Sequence, residues 1–160
     1  MKLIGLISGG IDSPVAIHLM QEQGAEVIPL HFDLGRFAGE DTVEKVKAVS
    51  RKLGFKEMYI VPHGEALSIF SENADIRFTC VFCKRTMLRV AGRLAKKLGA
   101  EALVTGEALG QVASQTPENL RAENAVAEVP VLRPLIGMNK EEIVQIARKI
   151  GTFVPSTVKA

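Results

Sequence analysis

The 160-residue sequence contains no tryptophan, one tyrosine and only two cysteines, Cys80 and Cys83. Two cysteines cannot build the disulfide framework of a small secreted domain, and their C-x-x-C spacing is more typical of redox, sulfur-transfer or metal chemistry in a reducing compartment. No apolar run approaches the roughly 18 residues that a membrane span needs, and the amino terminus leads into a strand pattern without the layout of a signal peptide. These absences predict a cytoplasmic protein that does not bind a membrane.

The remaining composition is typical of one globular domain. Apolar residues make up 47% of the chain, charged residues make up 24%, and the formal net charge is only +2, so the chain can bury a core of its own. No repeat, low-complexity tract or linker interrupts it. We therefore expect a single domain over residues 1–160, in which residues 152–160 form a loosely packed tail because they show no periodicity.

Apolar runs bounded by turn signals alternate with segments of helical periodicity along the chain. Strands are predicted over residues 2–7, 26–32, 57–61, 102–105 and 131–133. Helices are predicted after Asp12, over residues 40–53 and 83–98, and from Asn139, whereas residues 64–78 are not assigned. The strands are apolar nearly throughout, which is typical of a parallel sheet buried on both faces, so we predict a doubly wound α/β fold.

A turn rich in glycine and serine follows the first strand and reads Ser8-Gly9-Gly10-Ile11-Asp12-Ser13. Its glycines let the backbone approach a ligand closely, and the amides and dipole of the following helix favour an anion. The serines add hydroxyl donors, while Asp12 can cap the helix or hold a Mg²⁺ ion that bridges phosphates. The turn matches neither G-x-x-x-x-G-K-[ST] nor G-x-G-x-x-G, and an ordinary strand-to-helix turn is the alternative to a phosphate site.

The hexapeptide resembles the signature of the PP-loop ATP pyrophosphatases, which cleave ATP between its α and β phosphates and adenylate a carbonyl oxygen. The resemblance implies the fold of the adenine nucleotide alpha-hydrolase-like proteins, a mainly parallel sheet with helices on both faces. It also implies ATP and Mg²⁺ as cofactors, pyrophosphate bound by the backbone amides of the turn, and Asp12 as a catalytic residue.

Three longer segments narrow the resemblance to one family. They are C-V-F-C-K-R at residues 80–85, A-L-V-T-G-E-A-L-G-Q-V-A-S-Q at residues 102–115, and R-P-L-I-G-M-N-K at residues 133–140. Together they closely resemble the PP-loop domain of the ThiI family, the tRNA 4-thiouridine sulfurtransferases, and S-T-V-K-A at residues 156–160 is similar to a segment near the end of that domain. The resemblance implies adenylation of a uridine O4 with release of pyrophosphate, after which sulfur from a cysteine persulfide displaces AMP. It further implies tRNA, a sulfur donor such as a cysteine desulfurase, and a second copy of the chain as partners.

The ATP site of the family, carried over residue by residue, implies a set of contacts at or beyond the carboxyl ends of the predicted strands. The set is Leu6, Ile7, Ser8, Gly9, Gly10, Ile11, Asp12, Ser13, His31, Phe32, Lys84, Gly106 and Gln115. Doubly wound sheets bind ligands at that edge, so the periodicity and the resemblance agree. Three alternatives stay open: His31 hydrogen-bonded to backbone, Phe32 as plain core, and Lys84 extended into water.

The C-x-x-C pair is expected to carry the sulfur chemistry, so Cys80 and Cys83 join Asp12 as candidate catalytic residues. They lie at the predicted start of a helix beside Lys84, where the helix N-terminus and the cations favour thiolates. A zinc site would need His31, His63 or a second subunit in addition, and an iron-sulfur cluster would also need further ligands. The resemblance to archaeal C-x-x-C members implies sulfur transfer, with or without such a cluster, and a purely structural thiol pair is the remaining alternative.

Seven cations and no acid lie between Arg77 and Gly99. Helical periodicity brings Arg85, Arg89 and Arg93 to one side, and this stripe predicts contact with an RNA backbone unless it is only a solvated face.

Two departures from the family pattern bear on the substrate. Bacterial relatives have a sulfur-carrying cysteine before the segment at residues 156–160, whereas residues 152–155 read T-F-V-P here. The sequence also shows no ferredoxin-like, THUMP or rhodanese domain, so we expect a separate tRNA-binding protein or domain. The alternatives are an enzyme that thiolates or amidates another acceptor and a non-catalytic module that binds ATP or senses redox state.

Overall fold

The computed structural model describes residues 1–111 and 115–158, and it describes only the backbone of Ile76 and Arg77. Its strands form one parallel sheet in the order β3-β2-β1-β4-β5. They are β1 (Lys2–Leu6), β2 (Glu26–Asp33), β3 (Tyr59–Pro62), β4 (Ala102–Val104) and β5 (Val131–Leu132). Each lies close to a predicted strand, and the predicted parallel sheet is confirmed.

Helices connect the strands and flank the sheet. In the described part of the chain they are α1 (Asp12–Glu22), α2 (Thr42–Lys52), α3 (Gly64–Asn73), α4 (Ile76–Leu98), α5 (Pro117–Asn124), α6 (Lys140–Lys149) and α7 (Phe153–Thr157). None of them is both long enough and apolar enough to cross a membrane.

Alternate strand residues enter two different cores, as the two-residue period of a strand requires. Leu3 and Val104 pack with residues of α1, α2 and α6 on one face, whereas Ile4 and Leu103 pack with residues of α4 on the other. Because both faces of the sheet are covered, the strands are apolar throughout, and the predicted doubly wound α/β fold is confirmed.

The strand order places a topological switch point between β1 and β4. The chain runs outward from β1 through β2 to β3, returns to β4 on the other side of β1, and continues to β5. In such sheets ligands bind in the crevice outside the carboxyl ends of the strands at this point. The turn at residues 8–13 follows β1, and residues 105–107 follow β4, so both segments open into that crevice.

Helix α4 begins earlier than predicted, at Ile76 rather than near Cys83. Residues 76–83 contain aromatic and β-branched side chains without a clear capping signal, so their sequence does not indicate a helix start. Helix α3 lies in the stretch that was not assigned, and α5 was not predicted at all.

The prediction of a loosely packed tail is wrong for residues 152–158. Thr152 is fully buried, and its amide donates to the carbonyl of Ala147 at 3.0 Å. The following residues form α7, where Arg148 stacks over the Phe153 ring. A single turn of helix is too short to show periodicity, so its order depends on packing against α2 and α6.

Candidate active site at the carboxyl edge of the sheet

The turn between β1 and α1 is closed by serine hydroxyls. The amide of Ser8 donates to Oγ of Ser13 at 2.8 Å, the two hydroxyls lie 3.0 Å apart, and the amide of Gly10 donates to Oγ of Ser8 at 3.3 Å. Helix α1 starts at Asp12, and the N-cap residue Ile11 makes no side-chain hydrogen bond to it. The positive end of the α1 dipole therefore faces the turn without a side-chain cap, an arrangement that suits an anionic ligand.

Asp12 does not cap α1 but meets a lysine from a distant part of the chain. Its Oδ1 lies 2.5 Å from Nζ of Lys140, at the start of α6. A second lysine, Lys45 of α2, lies against Gly9, because a Cβ added to that glycine would be 3.2 Å from the lysine Cδ. Neither cation is predicted from the sequence, since nothing in the residues around them indicates that α2 and α6 bring them to the turn.

A cavity of about 260 Å³, here called the turn cavity, opens beside this turn. Among the predicted nucleotide contacts, its lining includes Leu6, Ile7, Ser8, Gly9, Ser13, His31 and Phe32. The structure thus brings together residues that follow β1 and residues at the end of β2. Gly10, Ile11 and Asp12 belong to the same turn but do not line the cavity.

His31 lines the turn cavity, and only one of its two ring nitrogens has a hydrogen-bond partner in the described part of the chain. Its Nδ1 lies 3.0 Å from the carbonyl oxygen of Ile7, and because a carbonyl only accepts, Nδ1 carries the proton. Nε2 is then an acceptor, and it is buried without a hydrogen-bond partner in the described part of the chain. Burial lowers the pKa of His31, although the Ile7 carbonyl and the charge of Asp33 oppose the shift, so the ring is neutral at physiological pH. The alternative that His31 is only hydrogen-bonded to backbone therefore explains the position of Nδ1 but leaves Nε2 without a partner.

A second cavity of about 150 Å³, here called the switch cavity, lies at the carboxyl ends of β1 and β4. Leu6 and Met87 line both cavities and therefore separate them. The rest of its lining comes from α4, the segment after β4, and α5: Lys84, Leu88, Thr105, Glu107 and Glu123.

Lys84 lies in the switch cavity, where two carboxylates engage its charge. Its Nζ is 2.9 Å from Oε1 of Glu107 and 3.5 Å from Oε1 of Glu123. Burial lowers the pKa of Lys84, but the two carboxylates outweigh burial and raise it above its usual value. Lys84 is therefore charged and does not extend into water.

Glu107 is held by donors on three sides. Besides Lys84, it accepts hydrogen bonds from Thr105 Oγ1 at 3.0 Å and from Arg133 Nε at 2.7 Å. Burial raises the pKa of this carboxyl, but the hydrogen bond with Glu123 and the charges of Lys84 and Arg133 prevail and lower it. Glu107 is therefore ionised.

Glu123 is the opposite case. The residue is 0% exposed, and neither carboxyl oxygen accepts a hydrogen bond from a donor group of the described residues. Its neighbour is the carboxyl of Glu107, with which it can share a hydrogen bond only when one of the two is protonated. Burial, and then the hydrogen bond and charge of Glu107, raise the pKa of Glu123, whereas Lys84 opposes the shift. The sequence did not single out either glutamate.

The two cysteines differ in environment. Cys80 is exposed, while Cys83 is buried with its Sγ 3.1 Å from Nε2 of His63. The His63 ring packs edge-on against Phe32, so Cys83 reaches the wall of the turn cavity through one intervening ring. The prediction that the cysteines lie at a helix N-terminus is wrong, because α4 already begins at Ile76. Burial, followed by the charge of Cys80, raises the pKa of Cys83 to about 11 despite the opposing charge of Lys84, so Cys83 is a thiol at neutral pH.

The described residues contain no group of three or more histidine, cysteine and acidic side chains that could hold a metal ion. His63 does contact Cys83, as a zinc site would require, but no third metal ligand among the described residues lies beside them.

Gly106 and Gln115 complete the predicted contacts. Gly106 packs directly against the start of α1, where a Cβ would be 2.6 Å from the amide nitrogen of Ser13. Gln115 lines neither the turn cavity nor the switch cavity. Its Oε1 is buried without a hydrogen-bond partner in the described part of the chain. Residues 112–114 of the long family-like segment and residues 159–160 of the terminal one lie outside the described residues.

The predicted arginine stripe is partly engaged within the protein. Arg85 donates to the carbonyl of Ala122 and so links α4 to α5. Arg93 and Lys96 pair with Glu128 at 3.8 Å and 2.6 Å. Arg89 is exposed and belongs to no ion pair in the described part of the chain.

A larger cavity, of about 710 Å³, lies elsewhere. It is lined by residues 27–29 of β2 and by residues near the start of β3, including Phe55 and Met58. Its lining shares no residue with the turn or with either cavity described above. It is therefore not part of the candidate active site, although it is larger.

Comparison with known proteins gives a consistent result. The family model described as "Thiamine biosynthesis protein (ThiI)" matches residues 1–160. A curated protein of Thermococcus kodakarensis named "Probable tRNA sulfurtransferase" is 46% identical over 98% of this chain and 42% of its own length. One of the same name from Thermus thermophilus is 44% identical over 97% of this chain and 39% of its own length. This chain therefore spans about two fifths of the length of these relatives.

Solved structures agree with this match. The crystal structure of a 4-thiouridine synthetase–RNA complex with bound ATP superposes with a TM-score of 0.91 at 36% identity, over 98% of this chain and 42% of that chain. The U34-tRNA thiolase NcsA from Methanococcus maripaludis, solved with its 4Fe-4S cluster, has a TM-score of 0.68 at 19% identity, over 95% of this chain and 58% of its own, and shares the fold alone.

Proposed function

The chain belongs to the ThiI family, and from this premise we propose that it is the adenylating part of an ATP-dependent tRNA sulfurtransferase that makes 4-thiouridine. The observation that carries the proposal is the turn cavity. It joins the uncapped end of α1 to seven residues that the family resemblance names as nucleotide contacts. The similar 4-thiouridine synthetase was solved with ATP and RNA, which agrees with these ligands for this chain.

In this proposal the phosphates of ATP bind at residues 8–13 and the adenine enters the turn cavity. Lys45 and Lys140 add positive charge beside the turn. The free Nε2 of His31 suits the exocyclic amine of adenine, because that amine is a donor and Nε2 is an acceptor. Asp12 offers an accessible carboxylate, and Mg²⁺ is commonly held by one or two carboxylates together with substrate phosphates.

The first chemical step is adenylation. O4 of the uridine attacks the α-phosphorus of ATP, the bond to the β-phosphate oxygen breaks, and pyrophosphate leaves. A carbonyl oxygen is a poor leaving group, whereas AMP is a good one, so the base is then open to a sulfur nucleophile. Amide donors at the turn stabilise the charge that develops on the departing pyrophosphate.

The second step uses the cysteine pair. Cys80 is exposed and therefore accessible to a protein sulfur donor such as a cysteine desulfurase, which would leave a persulfide. The terminal sulfur attacks C4, AMP leaves, and a C4–S–S–Cys linkage forms. Attack by the second cysteine thiol on the cysteine sulfur releases 4-thiouridine and leaves a Cys80–Cys83 disulfide, which an external dithiol must reduce. The described residues do not supply the ligands of an iron-sulfur cluster, so no step is assigned to one.

We further infer that the RNA reaches the site with the help of a separate tRNA-binding protein or domain, that a second copy of the chain takes part in the assembly, and that the reaction occurs in the cytoplasm. The RNA contact is supported by Arg89, the member of the arginine stripe that has neither an ion pair nor a side-chain hydrogen bond in the described part of the chain.

The test incubates the 160-residue chain with Mg-ATP, a sulfide or persulfide source and unmodified tRNA, and follows pyrophosphate release and 4-thiouridine. Formation of both supports the proposal. Pyrophosphate without thiolated tRNA would indicate another acceptor, and ATP binding without turnover on any acceptor would indicate a binding module. Omission of tRNA is the matched control, since acceptor-dependent adenylation requires it.

A further inference from the structure

The switch cavity has the size and position of a subsite beside the nucleotide. Its volume of about 150 Å³ is well below the roughly 300 Å³ at which pockets for whole drug-sized ligands begin, so it suits a single base rather than a nucleotide. It lies at the switch point between β1 and β4, and Leu6 and Met87 are its shared wall with the turn cavity. A base seated there would lie directly beside ATP in the turn cavity.

One lining group of this cavity has an unmet need for a donor. Glu123 is fully buried; its Oε1 lies 3.5 Å from Nζ of Lys84, and neither of its oxygens forms a hydrogen bond of good geometry within the described residues. The titratable and charged groups that face it are Lys84 of α4 and Glu107 after β4, and Arg133 after β5 lies behind Glu107. A buried carboxylate whose only partner is one cation at 3.5 Å is incompletely compensated for its lost hydration, and a ligand N–H would reduce that cost.

Adenylation of uracil at O4 requires the loss of the proton on N3, which is an N–H group of the ligand. When O4 forms its bond to the α-phosphorus, the ring would carry a positive charge unless the proton on N3 departs. Removal of that proton turns N3–C4 into a double bond and yields a neutral 4-O-adenylyl base, while pyrophosphate leaves with the electron pair of the broken P–O bond. A general base beside N3 is therefore part of the balanced reaction.

We propose that Glu123 is this base: it accepts the N3 proton of a uracil seated in the switch cavity while O4 attacks the α-phosphorus of ATP. The inference rests on the proposed function and names the subsite and the proton acceptor within it. The proton returns later. When the second cysteine attacks the C4–S–S–Cys linkage and the base leaves as its 4-thiolate, the same carboxyl gives the proton back to N3, which restores the starting state of Glu123.

The neighbouring carboxyl is not suited to this role. Glu107 already accepts from Lys84, Thr105 and Arg133, and these donors lower its pKa and its basicity. Glu123 has only the more distant Lys84 ammonium, at 3.5 Å, and its pKa is raised towards the pH at which a general base works best. Lys84 lies between the two carboxyls, where its charge favours the ionised form of Glu123 that must accept the proton.

The test compares Glu123→Gln with the matched control Glu118→Gln, an exposed glutamate of the same helix. Pyrophosphate release is measured in single turnover with saturating tRNA and ATP, and ATP affinity is measured separately. We expect Glu123→Gln to lower the rate by about 10²- to 10⁴-fold, with ATP affinity unchanged and the fold retained at the assay temperature, and Glu118→Gln to match the wild type. A Glu123→Gln variant with wild-type rate would overturn the proposal.

A second substrate separates proton transfer from a merely structural role. Replacing the target uridine by 5-fluorouridine makes N3–H more acidic, so the reaction depends less on a base. We expect the deficit of Glu123→Gln to shrink by at least about tenfold with this RNA, whereas an unchanged deficit would assign Glu123 a structural role and reject it as the base. If the wild type releases no pyrophosphate with either RNA, the proposed function itself fails, which is a different result from a normal wild type with a normal variant.

Discussion

Gly106 lies so close to Ser13 that a Cβ on the glycine would be 2.6 Å from the serine amide nitrogen. The segment after β4 thus supports the first turn of α1 directly, and any side chain at position 106 would push the two apart. We predict that Gly106→Ala destabilises the protein by about 1–3 kcal/mol, the usual cost of overpacking, and weakens ATP binding. Thermal unfolding and ATP titration measure the two effects. Gly137→Ala is the control, because a Cβ there meets nothing within 4 Å, and an equal loss in both variants would contradict this account.

Asp12 and Lys140 form an accessible ion pair, with side chains 28% and 51% exposed. Exposed pairs contribute at most about 1 kcal/mol to folding, so neither Asp12→Asn nor Lys140→Ala should lower the free energy of unfolding by more than that. Pyrophosphate release should nevertheless fall by at least about 10²-fold in each, since the proposed function puts the ATP phosphates beside both groups. Urea unfolding and a pyrophosphate assay check the prediction. Lys47→Ala, which breaks another exposed pair away from the turn, should retain activity.

The two cysteines should differ in reactivity. Because the pKa of Cys83 is raised to about 11 and its sulfur is buried, iodoacetamide at neutral pH should label Cys80 first. Labelling of Cys83 should accelerate as pH rises towards that value, because the thiolate is the reacting form. Mass spectrometry of the native and urea-unfolded protein measures both rates, and equal labelling in the folded protein at pH 7 would contradict the assignment.

Cys80→Ser and Cys83→Ser should each abolish sulfur transfer while ATP binding remains.

Glu123 should make stability fall as pH rises. Below the ordinary glutamate pKa of about 4.3, the group is protonated in both the folded and the unfolded chain and costs nothing. Above it, the unfolded chain releases a proton that the folded chain still holds, so the free energy of unfolding decreases with pH until the raised pKa of folded Glu123 is passed. His31 and His63, whose pKa values burial lowers, act in the opposite sense. The difference between wild type and Glu123→Gln in urea unfolding isolates the glutamate; it should favour the variant increasingly as pH rises to the raised pKa of Glu123, and then stay constant.

The arginine stripe should contain one RNA contact and one structural link. Arg89→Ala should lower tRNA affinity and reduce the slope of log K against log salt by about 1. Arg85→Ala should instead lower stability, because it removes the bond to the carbonyl of Ala122 that joins α4 to α5. Filter binding at several salt concentrations and thermal unfolding separate the two. Loss of stability with Arg89→Ala and an unchanged salt slope would reverse the assignment.

The sequence by itself determined the features that depend on neighbours along the chain. The strands are visible as apolar runs, the turn at residues 8–13 as a glycine- and serine-rich segment before a helix, and Asn139 as the cap of α6, where it forms a capping box with Glu142. Each of these signals is local, because backbone hydrogen bonding and dihedral preferences act within a few residues. The edge of the sheet that bears the site follows from the same signals, since parallel strands end together.

Only the tertiary structure decided the partners of the charged groups. Lys140 meets Asp12 across 128 residues, Lys84 meets Glu107 and Glu123 rather than water, and α4 carries Cys83 into burial instead of exposing it at a helix N-terminus. No local pattern encodes these contacts, because they arise when helices from separate parts of the chain pack on one edge of the sheet. The free energy of burying a charge depends on what surrounds it in space, and that surrounding exists only in the folded protein.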